Sequence, residues 1–196
     1  VPKDGITADG EHMSFEDVAK ALADVVEKTL SVPERAEGLL GGIQNPATAK
    51  RVEEASKLAD VVLASHEVKS ETFPNALIRT PVIMKTDASK AEIWSDERFG
   101  PIYFIVATDS TKDSIALVKE LVKTKGAITS GVYSTDEKVL DAMEDAMIDA
   151  GVALSCNLTG NVFVNQTAAF SDYHATGANP AANACLADAA FVANRF

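Results

Sequence analysis

The sequence predicts an α/β fold, and three patterns carry that prediction. From Leu77 onward, short runs rich in Val, Ile and Tyr alternate with helical stretches, the arrangement of βαβ units around a parallel sheet. Before them, from Ser14 to the Val61-Val62-Leu63 run, apolar residues recur three or four positions apart, which is helical spacing. Helix ends also carry matching stop signals: Lys123-Thr124-Lys125-Gly126 closes one predicted helix with basic residues and a glycine, and Gly151 closes the next.

Taken in order, Ser14 is a predicted N-cap ahead of an apolar stripe formed by Phe15, Val18, Leu22, Val25, Val26 and Leu30. Gly41-Gly42 breaks the helical pattern. Asn45-Pro46 then supplies an N-cap and a first-turn proline for a second helix carrying Val52, Ala55 and Ala59, which leads into the short apolar run Val61-Val62-Leu63. Extended segments follow at 77–84 and 102–107, then a helix over 111–123. A further extended segment at 128–133 precedes a helix over 136–150 with Val139, Leu140, Met143 and Met147 inward, and Phe163-Val164 is extended again. The Ala- and Asn-rich tail from Ala168 to Ala190 reads as an irregular loop and a terminal helix. The whole chain, 1–196, is expected to form a single domain.

Composition narrows the function classes. A 46% hydrophobic content over 196 residues suffices for a packed core. The net charge of −11 repels phosphate backbones and anionic bilayer surfaces, so neither nucleic acid nor membrane is an expected partner. No apolar run reaches bilayer length, and Val1-Pro2-Lys3-Asp4-Gly5 is not a signal peptide. A start without Met is the expectation for a piece of a longer chain. Cys156 and Cys185 lack ligand or framework spacing, so neither zinc nor a disulfide is expected, and the cytosol is the predicted compartment. In that compartment the Asn-x-Thr triplets at Asn157 and Asn165 carry no glycan.

The strongest local signal is Glu97-Arg98-Phe99-Gly100-Pro101-Ile102, an acidic and aromatic cluster ahead of a buried strand, with Gly-Pro fixing the entry. Such an entry loop suits a ligand site. It equally suits a structural turn in which Phe99 plugs the core. A serine with Asp172 and His174 makes no hydrolase site, because no nucleophile elbow accompanies them and a triad is defined by geometry. His12 and His66 stand isolated and read as surface or capping residues. Cys156, in the partly apolar Ala153-Leu154-Ser155-Cys156-Asn157, reads as a buried, inert thiol.

The order of these pieces resembles the aldehyde dehydrogenase superfamily. Arg79-Thr80-Pro81-Val82-Ile83 resembles the extended segment ahead of that family's signature, and Asp96-Glu97-Arg98-Phe99-Gly100-Pro101 resembles the Glu-x-Phe-Gly-Pro signature itself. Ser130-Gly131-Val132-Tyr133-Ser134 is similar to the following strand, Val162-Phe163-Val164-Asn165 to a later strand ending in Asn, and Ala169-Phe170-Ser171-Asp172-Tyr173-His174-Ala175-Thr176-Gly177 to the Pro-Phe-Gly-Gly-x-Lys-x-Ser-Gly loop. The likeness runs over about 30–185. Ser171 and Asp172 replace two glycines of that loop, and Pro180 falls where the family usually has Arg. Within the family, Phe163-Val164-Asn165-Gln166, Phe170-Ser171-Asp172-Tyr173-His174 and the segment from Thr176 to Asn183 most resemble the phenylacetic acid degradation (PaaN) branch.

The resemblance implies a three-layer αβα catalytic domain with a helical N-terminal part. It also implies oxidation of an aldehyde from aromatic-acid breakdown, with NAD or NADP as cofactor. Glu97 matches the glutamate that receives hydrogen bonds from the nicotinamide ribose, Phe99 the aromatic beside the nicotinamide, and Phe170 an apolar residue at the substrate mouth. An ionised carboxylate offers two acceptor oxygens to a vicinal diol, and an apolar wall steadies a flat ring. The family's Gly-x-x-Cys nucleophile segment has no counterpart, although Val1-Pro2 resembles the residues that follow it, and the general-base glutamate belongs to a cofactor domain that is not in this sequence. The resemblance therefore assigns no catalytic residue here, and the isolated chain is expected to be inactive. The family's assembly arm also lies outside the sequence, so a homo-oligomeric parent and a monomeric piece are compatible. The competing reading is a non-enzymatic α/β binding or assembly module. A cleft-rim position for Glu97 and Phe99, close to Phe170, would discriminate between the two.

Overall fold

A computed structural model of the chain describes residues 1–127 and 129–158. They fall into two compact units, Val1–Ser114 and the described part of Ile115–Phe196.

The first unit opens with a hairpin of β1 (Ile6–Ala8) and β2 (Glu11–Met13). Asp9 and Gly10 turn it, both at positive φ (52° and 83°), the backbone of a two-residue turn for which Asp-Gly is a preferred sequence. The hairpin departs from the helical expectation for this part of the chain only before Ser14, where the helical stripe begins. Ser14 then caps α1 (Phe15–Leu30) as expected: its hydroxyl accepts from the Asp17 amide at 3.2 Å, and the Asp17 carboxylate accepts from the Ser14 amide at 3.2 Å. A separate short helix, α2 (Pro33–Leu40), starts at a first-turn proline and ends at Gly41 with φ 62°. Asn45 caps α3 (Pro46–Ala55) through its side-chain oxygen, 2.9 Å from the Ala47 amide.

The central sheet joins β3 (Asp60–Leu63), β6 (Val82–Asp87) and β7 (Ile102–Ala107) in the order β3-β6-β7. A small antiparallel pair, β4 (Glu67–Val68) with β5 (Ile78–Arg79), precedes β6 in the chain. The expected continuous segment over 77–84 is thus two strands in different sheets, broken at Thr80-Pro81. Proline brings no N–H to a ladder. The Thr80 amide still donates back to the His66 carbonyl (2.9 Å), whereas the Val82 amide donates to the Pro101 carbonyl (3.0 Å). The chain changes sheets across that proline.

Strands β6 and β7 run parallel in register from Val82↔Ile102 to Asp87↔Ala107, with the short α4 (Ala91–Trp94) in the crossover. Strand β3 is antiparallel to β6, with an irregularity between Val61 and Leu63. The sheet is therefore mixed rather than wholly parallel, an arrangement common for an edge strand of an α/β sheet. The two-residue alternation of the strands sorts its faces. Ile83 and Ile105 pack with Ala19 of α1, while Val82 and Met84 pack with Val52 and Ala55 of α3. Helix, sheet and helix form three layers, as an α/β fold requires.

In the second unit, α5 (Thr111–Lys125), whose first turn lies in the first unit, ends on Lys123, Lys125 and a positive-φ Gly126. Strand β8 (Ser130–Val132) pairs in parallel with β9 (Leu154–Cys156) across α6 (Glu137–Ala150). Asp136 caps α6, and Gly151 closes it in the left-handed conformation. The core here is Val122, Met143, Ala146, Met147 and Val152, so Met143 and Met147 lie inward as their spacing predicts. Ile128 and the expected strand at Phe163-Val164 lie outside the described residues.

Candidate functional site

The segment 96–101 leaves α4 and feeds β7. Its path is dictated by contacts on both sides. Upstream, the Arg98 guanidinium donates twice to the Ile93 carbonyl, from Nε at 3.1 Å and Nη2 at 2.9 Å, which folds the chain back onto the end of α4. Downstream, Gly100 lies against α3, where a β-carbon would sit 3.2 Å from both Thr48 Cγ2 and Val52 Cγ2. Its φ of 142° is also one that side-chain-bearing residues avoid. Two separate demands, conformation and clearance, thus call for glycine here. The Pro101 carbonyl then anchors the entry by accepting from Val82.

Between these anchors, Arg51 of α3 donates from Nη1 to the Phe99 carbonyl at 2.6 Å. With its backbone held, the loop leaves Glu97 and Phe99 exposed. Glu97 is exposed, and among the described residues no hydrogen bond or ion pair engages its carboxylate. Phe99 is 72% exposed, which overturns the core-plug reading, since a buried plug would be enclosed by apolar neighbours. Phe170 lies outside the described residues, as do Cys185, Asp172 and His174.

The loop enters at the amino-terminal end of the β6–β7 pair. A cleft of about 580 Å³ lies at the opposite end, lined by Lys3, Lys85, Asp87 and Ala107 among others, about 17 Å away by strand rise. Several of its charged groups are paired: Lys3 with Asp87 at 2.8 Å and with the neighbouring Asp109 at 2.6 Å, and Lys85 with Glu16 at 2.5 Å. The Lys3 ammonium beside Asp87, helped by the Ser89 hydroxyl and amide, holds that carboxyl well below the usual carboxylate range. A second cleft, of about 450 Å³, is mostly apolar and lies between α1 and the sheet, with Val25, Ile83 and Tyr103 in its wall.

Other sequence expectations resolve individually. Cys156 is exposed rather than buried: it closes the three-residue β9, which pairs with β8, and among the described residues no layer covers that last side chain. His12 and His66 are surface residues; Nδ1 of His66 lies 3.2 Å from the Thr80 hydroxyl. Among the described residues no group of His, Cys, Asp and Glu could hold a metal ion, and no helix is long and apolar enough to cross a membrane. Arg51 escaped sequence reasoning altogether, because 48 positions separate it from its partner and a surface arginine on an amphipathic helix announces nothing.

Residues 11–183 match the aldehyde dehydrogenase family. The crystal structure of an NAD-dependent aldehyde dehydrogenase from Burkholderia multivorans is 50% identical and superposes with a TM-score of 0.85, over 100% of this chain and 35% of that one. The chain thus spans about a third of that protein's length. No curated protein matches it. The matched span covers most of the sequence and includes the loop that carries Glu97 and Phe99: the chain belongs to the aldehyde dehydrogenase family.

Proposed function

We propose that this chain is the cofactor-facing part of the catalytic domain of an NAD-dependent aldehyde dehydrogenase, with Glu97 and Phe99 meeting the nicotinamide half of the cofactor. The observation that carries the proposal is the state of the signature loop. Its backbone is held by Arg51, Arg98 and Val82, while the Glu97 carboxylate and the Phe99 ring are exposed and, among the described residues, no hydrogen bond or ion pair engages the carboxylate. An unengaged carboxylate fits the two hydroxyls of a ribose, which it can receive in a charge-assisted pair of hydrogen bonds. An exposed ring gains from covering a flat heterocycle and keeps water from that face. Bound NAD supplies the hydride acceptor for aldehyde oxidation; what this chain supplies is orientation.

The finer reading follows the likeness of the tail. The substrate is an aldehyde from phenylacetic or other aromatic acid breakdown, Phe170 lines its entrance, and residues 1–196 belong to one domain of a cytoplasmic, homo-oligomeric parent. NADP is the alternative cofactor. No residue of this chain is assigned as nucleophile or general base, so the 196 residues alone turn over no aldehyde under this reading.

The test is Glu97→Gln in the full-length enzyme. The amide keeps the shape and one acceptor but loses the charge, so the KM for NAD should rise about tenfold, the equivalent of one charge-assisted bond, with the unfolding midpoint unchanged. A variant with wild-type NAD affinity and hydride-transfer rate would remove the support for this role.

A further inference from the structure

We infer that Arg51 is a positioning residue for cofactor binding: by holding the Phe99 carbonyl it sets the directions in which the Glu97 carboxylate and the Phe99 ring project. The inference rests on the assignment of Glu97 and Phe99 above. It starts from the order of anchors along the loop. Arg98 is tied to the Ile93 carbonyl and Pro101 to the Val82 amide. The peptide between them, linking Phe99 to Gly100, receives one hydrogen bond among the described residues, that from Arg51 Nη1 at 2.6 Å. Glycine at the far side of this peptide carries no β-carbon to restrict the peptide's rotation, and Pro101 beyond it limits only part of that freedom. The loop would therefore have several low-energy orientations of its exposed part without a fixed donor.

Arg51 removes that choice. It projects from α3, a helix whose Val52 and Ala55 are each 1% exposed and packed on Val82 and Met84 of the sheet, so the donor stands on a rigid platform. The guanidinium is permanently charged, which makes its bond to a neutral carbonyl stronger than an amide–carbonyl bond. Binding a ligand to a loop already oriented avoids the ordering cost that a mobile loop would impose.

Arg51 could instead touch the cofactor itself, and the experiment separates the two roles. In the full-length protein, NADH affinity is measured by fluorescence titration for Arg51→Ala, Arg51→Lys, Glu97→Ala and the double variant R51A/E97A. The positioning role predicts an NADH Kd about tenfold weaker for R51A, an unchanged KM for aldehyde and an unchanged urea midpoint. R51K keeps a cationic donor and should return the Kd to within about threefold of wild type. In the double variant the losses should not add, since Arg51 acts through the loop that presents Glu97. Fully additive losses overturn positioning and assign Arg51 a contact of its own. A normal R51A beside a weakened E97A overturns the inference and leaves the Glu97 assignment standing. Normal affinity in both overturns the assignment, and the inference with it. Should R51A fail to fold, a folded R51K as weak as E97A overturns the inference, and one close to wild type upholds it.

Discussion

Replacing Gly100 by Ala tests the account of the signature loop most directly, because the structure gives two separable penalties. The first is conformational: at φ 142° a residue with a β-carbon is strained by about 1–3 kcal/mol. The second is steric. The added methyl would stand 3.2 Å from Thr48 Cγ2 and 3.2 Å from Val52 Cγ2, several tenths of an ångström inside ordinary carbon–carbon contact. Val52 is 1% exposed and seated against Val82 and Met84, so it cannot yield without disturbing the core, and overpacking of this kind costs about 1–3 kcal/mol. The loop side is exposed and can give, which places the expected total near 3 kcal/mol rather than at the upper limit of both ranges. Gly10→Ala is the control within the same unit: φ is 83°, but nothing lies within 4 Å of the added carbon, so only the strain of about 1–2 kcal/mol remains. Urea unfolding followed by circular dichroism gives both values by linear extrapolation. A loss in Gly100→Ala no larger than in Gly10→Ala would refute the steric half of the argument and, with it, the claim that α3 shapes the loop.

Two further outcomes concern the second unit. Hydrogen bonds from Lys119 (2.5 Å) and Lys123 (2.7 Å) hold the Asp149 carboxyl down at about 2, against an ordinary value of 3.8. A folded value below the unfolded one means the pairing stabilises above about pH 4 and is lost as pH falls from there toward 2. Asp149→Asn should therefore flatten the acid dependence of the unfolding midpoint in that window, and a variant with the wild-type acid profile would contradict the pairing. Cys156 is exposed at the end of β9, so iodoacetamide should alkylate it in the folded chain, as peptide mass spectrometry would locate. Protection until denaturant is added would mean that β9 carries a covering layer the structure does not show.

What the sequence disclosed and what it withheld divide along a physical line. Ser14 and Asn45 were readable as caps because a cap is settled within three residues. The same holds for Gly126 and Gly151, and for the inward Met143 and Met147, whose spacing alone places them on one helix face. The Asp9-Gly10 turn was equally local, and a search for two-residue hairpin dipeptides would have found β1 and β2. The direction of β3 was not readable, since an apolar run has no polarity and only the partner strand decides it. Nor was the exposure of Cys156, where an apolar neighbourhood in sequence met no second layer among the described residues.

The signature loop joins both kinds of information. Gly100-Pro101 declared a fixed entry into β7 from sequence, but the reason the glycine is needed lies on α3, in Thr48 and Val52, and so does the donor that holds the Phe99 carbonyl. A motif of this kind is therefore half of an arrangement: the signature supplies an exposed carboxylate and ring, and a helix 48 positions earlier supplies the rigidity. Exposure by itself would describe any surface turn. Exposure on a backbone tied at Arg98, Phe99 and Pro101 is what the proposed cofactor role requires, because exposed side chains can be aimed at a ligand only through the main chain that carries them.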